Sequence, residues 1–106
     1  MVGGAGGASG ANSTGLASIA ERCQTLCDLD GMVCAGFDVA ACDADCASST
    51  SFFAAEGCLS EFDAMNTCLG HLQLTDFVCF DPNKPVQMAG LCSAQIMAYE
   101  DCFATL

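Results

Sequence analysis

The sequence predicts an all-α fold: two disulfide-clamped antiparallel helical hairpins, packed as a small four-helix domain behind a Gly-rich N-terminal tether. Three observations lead there. The 106-residue chain holds ten cysteines, an even number. They fall into two mirrored sets, Cys23-x3-Cys27 with Cys42-x3-Cys46, and Cys58-x9-Cys68 with Cys92-x9-Cys102. Apolar residues recur at helical spacing around them, and no stretch sustains the period-two alternation of a strand, so no strand is predicted.

Residues 1–15, MVGGAGGASGANSTG, have almost nothing to bury and read as a flexible tether. Residues 16–106 read as the disulfide-rich helical domain. The first helix is expected over about 15–29, with Leu16, Ile19, Cys23, Leu26 and Cys27 at helical spacing, Ser13 or Thr14 as cap and Gly31 as stop. The second is expected over about 39–48, with Asp38 as N-cap. The third is expected over about 51–72, capped by Thr50 or Ser51, and the fourth over about 85–104, with Pro85 in its first turn. Asp81-Pro82-Asn83 signals a turn between them.

The last two helices read as an internal repeat offset by 34 residues, from Cys58 to Cys92. Ala55, Cys58, Phe62, Met65, Cys68 and Leu69 align with Ala89, Cys92, Ile96, Tyr99, Cys102 and Phe103. Antiparallel packing sets Cys58 opposite Cys102 and Cys68 opposite Cys92. The same symmetry pairs Cys23 with Cys46 and Cys27 with Cys42. Cys34 and Cys79, each midway through the connection of its own hairpin, are left to staple hairpin to hairpin. Many other pairings are combinatorially open, and the symmetry ranks this one first.

About 90 foldable residues bury too little surface for a robust core, and cross-links are the usual remedy. In the chain-entropy picture each closed loop of about 10–45 residues removes roughly 3–4 kcal/mol of denatured-state freedom. Such cysteine density implies an oxidising compartment: extracellular, periplasmic or cell-surface. Met1-Val2 runs straight into glycine without an apolar leader, which reads either as a mature region behind an added start Met or as a native start in an intracellular protein, and the cysteine pattern favours the first. No apolar run is long enough to span a membrane.

Thirteen acidic residues face only Arg22 and Lys84, a net charge of −11. That balance excludes nucleic-acid binding and favours solubility or basic partners.

The Cys58/Cys68 and Cys92/Cys102 spacing resembles the twin-CX9C coiled-coil-helix proteins. The Cys23/Cys27 and Cys42/Cys46 half is similar to the plant α-hairpinin peptides. Taken whole, the tether and the ten-cysteine domain resemble small cysteine-rich secreted or lipid-anchored proteins of myxobacteria. That resemblance implies compartment and architecture without an activity.

Catalytic constellations are missing: one His, no GxSxG, no HExxH and no phosphate loop. Glu100-Asp101 and Glu61 with Asp63 read as solvated helix carboxylates, and His71 as a residue near a helix end that interacts with the dipole. Without CxxC there is no thioredoxin-type redox motif. Asp28-Leu29-Asp30-Gly31 resembles only the opening of a calcium loop. Zinc knuckles are absent, and no cofactor is expected.

The reading is therefore a secreted or surface-tethered scaffold that acts by binding or assembly. Its partner would be a protein or a small apolar ligand, with self-association an option. A Cu(I)-binding thiol bundle is the sharpest alternative, since CxxxC on a helix points two soft ligands the same way. Carriage of a small apolar ligand is the other, because the Phe and Met content exceeds what two separate hairpins need. Phe52, Phe53, Phe62, Phe77, Phe80, Met65, Met88 and Met97 would otherwise form the joint core.

Overall fold

The computed structural model describes residues 14–81 and 84–106. Among the described residues are four helices: α1 (Thr14–Val33), α2 (Val39–Glu56), α3 (Leu59–Gly70) and α4 (Ser93–Phe103). Between α3 and α4 come a short 3-10 turn (Leu74–Asp76) and two strands, β1 (Phe77–Asp81) and β2 (Lys84–Gln87). The expectation for 1–15 lies outside the described residues up to 13, and Thr14 and Gly15 already belong to α1. Pro82 and Asn83, of the expected turn, also lie outside them.

α1 packs against both α2 and α3, and α3 packs against α4. The core sits where all four meet. Ile19 from α1, Phe53 from α2, and Cys58 and Phe62 at the start of α3 are buried together, with Tyr99 and Cys102 of α4 against them. The Phe53 ring lies 4.9 Å from Phe62, 5.6 Å from Tyr99 and 6.0 Å from Phe103, in tilted or edge-on contact. These are favourable aromatic geometries. Arg22 adds a fork from α1 to α3: Nε and Nη2 donate to the two carboxylate oxygens of Asp63 at 2.7 and 2.8 Å. That bond is the main reason the guanidinium pKa is raised further. Being partly solvated, the pair contributes about 1 kcal/mol or less.

Three helix boundaries in the first half of the chain differ from expectation: the end of α1, the end of α2 and the start of α3. α1 does not stop at Gly31 but runs to Val33. A Cβ at Gly31 would lie 2.5 Å from Val39 Cγ2, so the glycine is there for the close approach of α2. α2 does not end near 48. Thr50, expected to cap the third helix, is buried and its hydroxyl donates back to the Cys46 carbonyl at 2.7 Å, as a mid-helix threonine does. The break comes instead at Gly57, with φ of 112°, and Cys58, with φ of 71°. Gly57 takes a conformation open to a residue without Cβ. Asp38 does cap α2, its carboxylate accepting from the Ala41 N–H at 3.0 Å.

The expectation of no strand is overturned by the antiparallel β1–β2 pair, in which Phe77 faces Gln87, Val78 faces Val86 and Cys79 faces Pro85. Pro85 sits in β2 rather than in a first helical turn. A two-stranded sheet has only edge strands, and there proline costs little. The ladder runs into the 3-10 turn through Met88 N–H to the Asp76 carbonyl at 2.9 Å. The fold remains mostly helical.

Candidate functional site

The disulfide framework comes first, because it positions everything else. The structure joins Cys23–Cys46, Cys27–Cys42, Cys34–Cys79, Cys58–Cys102 and Cys68–Cys92. The first two are rungs between α1 and α2, each with Cα atoms 5.7 Å apart. One helical turn separates them on both helices, so Cys27 and Cys46, from different rungs, bring their sulfurs within 3.5 Å. The last two clamp α3 to α4 at Cα separations of 5.8 and 5.9 Å. Cys34–Cys79 ties the end of α1 to β1, 45 residues away in sequence.

The internal repeat reaches into the backbone. Cys58 and Cys92 both stand immediately before a helix, both in the left-handed region, with φ of 71° and 55°. Each CX9C pair therefore begins at a helix N-cap and ends in the last turns, rather than lying wholly within a helix as the spacing suggested. Such a conformation costs a non-glycine residue energy, which the cross-links help to hold.

Cys23, Cys27 and Cys46 bring their sulfurs within 4.8 Å of one another, and Cys58, Glu61 and Cys102 bring their ligand atoms equally close. All six of these cysteine and carboxylate positions have ligand chemistry on paper. The sulfurs are cystine, however, and a disulfide offers no thiolate to a soft ion. Asp28 and Asp30 lie inside α1, so the calcium-loop geometry that their sequence resembles is not formed. Asp30 is half-buried, and desolvation pushes its carboxyl up to about 6. Glu61 and Glu100 stand on α3 and α4, Asp101 on α4 is exposed, and Asp63 is engaged by Arg22. The structure does not gather these carboxylates into one cleft.

The apolar residues divide. Phe53, Phe62 and Phe77 are buried and Met65 packs against the core. Phe52, Phe80, Met88 and Met97 are exposed. Phe52 belongs to an open groove of about 300 Å³ between α2 and α4, lined by Ser48, Ser49, Phe52, Phe53, Tyr99 and Phe103. Tyr99 and Phe103 stack nearly parallel there, with centroids 6.0 Å apart and an interplanar angle of 6°. Phe103 is half exposed, and so is Leu106, which reaches to within 3.8 Å of where a Gly57 Cβ would stand. The Tyr99 phenol is pushed up by desolvation first and by the Glu100 charge second. Along α2, Asp45, Ser49, Phe52 and Glu56 follow at helical spacing, so carboxylates flank the aromatics at both ends. Sequence reasoning counted these aromatics but did not separate rim from core. The signal was the adjacent pair Phe52-Phe53, which on a helix cannot both face inward.

Among the described residues, no helix is long and apolar enough to cross a membrane. No protein-family model, curated protein or solved structure matches the chain.

Proposed function

We propose that this protein is a secreted or surface-tethered, disulfide-stabilised scaffold without catalytic activity, which acts by binding a basic polypeptide segment at the α2–α4 groove. The carrying observation is the groove itself: Phe52 and Phe103 stay about half exposed beside the partly buried Tyr99, with Glu56 one turn beyond Phe52 on α2 and Glu100 next to Tyr99 on α4, on a chain of net charge −11. Apolar anchors with a rim of one sign suit a partner with bulky apolar side chains and positive charge. A second copy fits less well, because carboxylates would face carboxylates. The 300 Å³ trough is too open to enclose a free apolar ligand, which needs most of its surface buried. A Cu(I) store is disfavoured by the cystine state of its sulfurs.

Tyr99 is the sole tyrosine and there is no tryptophan, so phenol emission reports on this groove alone. A Lys/Leu amphipathic peptide lacking aromatics should change that emission saturably. Phe52→Ala with Phe103→Ala should weaken it at least about tenfold, whereas Phe80→Ala on the hairpin should not. Equal weakening by Phe80→Ala would mean that only overall charge is being read, and would defeat the groove assignment.

A further inference from the structure

The β1–β2 hairpin packs one side and leaves the other bare. Phe77 is buried on the inner side, and Pro85 and Gln87 are half-buried. Val78 and Val86 stand directly opposite each other on the outer side, and strand alternation puts Met88 there with Val86. Phe80, at the register shift near the tip, is the most exposed large apolar side chain described. The four are between 41 and 75% exposed. A two-stranded sheet is marginal unless its apolar face is covered by another layer. This face shares no residue with the α2–α4 groove.

Charge says what covers it. Leu74–Met88 carries Asp76, Asp81 and Lys84, so only one of the chain's eleven net negative charges lies here and ten lie elsewhere. A basic partner is drawn to those ten rather than to this face. Another copy of the chain meets the least repulsion at it. Lys84, the only lysine, is exposed at the tip end, and the ion pair among the described residues is Arg22–Asp63, on other elements. Asp76 stands at the base end, where its carbonyl accepts from the Met88 N–H at 2.9 Å. Its Oδ2 accepts from the Gln73 N–H at 2.8 Å, which leaves Oδ1 for a cation from outside. The four-residue step from Lys84 to Met88 separates these ends by about 13 Å.

A two-fold axis across the strands lays the tip of one hairpin over the base of another. Lys84 of each copy then meets Asp76 of the other, Phe80 meets Met88, and the valine pair meets itself. Sulfur against an aromatic ring is a favourable contact. The strand edges offer less. Pro85 has no N–H to give, and Cys34–Cys79 ties β1 to α1, so a third strand is poorly served. We infer that the outer face of the hairpin joins two copies of this chain, antiparallel and face to face. Four side chains a copy cover much less than the roughly 800 Å² per partner of a standard interface, so the dimer is weak and reversible.

The test is sedimentation velocity of the oxidised full chain from about 20 µM to about 2 mM, which brackets a Kd on the order of 0.1 mM. A reversible monomer–dimer equilibrium is expected. Phe80→Ser should weaken it at least about tenfold and leave the melting temperature unchanged. Lys84→Glu should weaken it by a similar factor. Asp76→Asn, which keeps an acceptor for Gln73, should act in the same direction. Met97→Ser, at an exposed apolar residue of α4, should not. A chain that stays monomeric throughout, a dimer kept by Phe80→Ser or Lys84→Glu, or equal weakening by Met97→Ser would overturn the assignment. So would a monomer that floats with phosphatidylcholine vesicles through Phe80, which would give the face to a lipid surface instead.

Discussion

Cys27 and Cys46 hold their sulfurs 3.5 Å apart although they belong to different disulfides. Both are almost wholly buried between α1 and α2. The contact follows from CxxxC spacing on two antiparallel helices, because one turn on each sets the rungs side by side. It makes the ladder open to exchange once a single rung is cut. In Cys23→Ser the Cys46 thiolate faces the Cys27–Cys42 bond. Attack on the Cys27 sulfur forms Cys27–Cys46 and releases Cys42 as a thiolate, with no change in the number of disulfides. Thiol labelling followed by mass mapping should find the free thiol divided between Cys46 and Cys42. A thiol confined to Cys46 after prolonged incubation at alkaline pH would contradict the contact.

Gly31 gives a prediction of opposite sign to helix propensity. Alanine is the better helix former by about 1 kcal/mol. Yet a Cβ at this site meets Val39 Cγ2 at 2.5 Å, and valine is stiff at χ1. Gly31→Ala should therefore destabilise by roughly 1–3 kcal/mol, the usual cost of overpacking. Gly31→Ala with Val39→Ala should recover part of the loss. Chemical denaturation of the three proteins measures it. A stabilised Gly31→Ala would show that α1 and α2 do not approach so closely.

How much of this was legible in the sequence depends on the range of the forces involved. The cysteine ladder was legible because spacing on a helix is geometry, and the joined pairs are those that symmetry ranked first. Asp38 was legible because an N-cap is local. The α2–α3 break was not, since Thr50 has two uses for its hydroxyl and only the packing selects the bond back to Cys46. The β1–β2 hairpin was missed because Phe77–Asp81 and Lys84–Gln87 are too short to show alternation, and Pro85 suits a first helical turn equally well. Of the surface features, the acidic excess was plain from composition. The groove depends on which helices become neighbours.

Phe53 should be the most sensitive apolar position outside the cystines. Its ring contacts those of Phe52, Phe62, Tyr99 and Phe103, and it is 4% exposed. Phe53→Ala should cost about 3–5 kcal/mol. Phe80→Ala, at 75% exposure, should change stability by no more than about 0.5 kcal/mol. Urea midpoints compare them directly, and equal losses would show the core to be elsewhere.

Asp30 should make the protein more stable in mild acid than at neutrality. Burial raises its carboxyl from 3.8 to about 6, so between those values the native state holds a proton that the unfolded chain releases. Its favourable contribution is full below the unfolded value and is lost as pH rises through about 6. Relief of the −11 self-repulsion acts in the same direction. The melting temperature should rise from pH 7.5 to pH 4.5, and Asp30→Asn should raise it at pH 7.5 while flattening the trend. An unchanged slope in Asp30→Asn would remove Asp30 from the explanation.

The central claim is that five cystines in this connectivity hold the fold, and mapping the disulfides of the intact, unreduced chain tests it most directly. Trypsin can cut only after Arg22, because Pro85 follows Lys84, so the mapping needs pepsin with electron-transfer fragmentation. The predicted result is no free thiol and the links Cys23–Cys46, Cys27–Cys42, Cys34–Cys79, Cys58–Cys102 and Cys68–Cys92. Free thiols in the folded protein, or links between sequence neighbours such as Cys23 and Cys27, would contradict it.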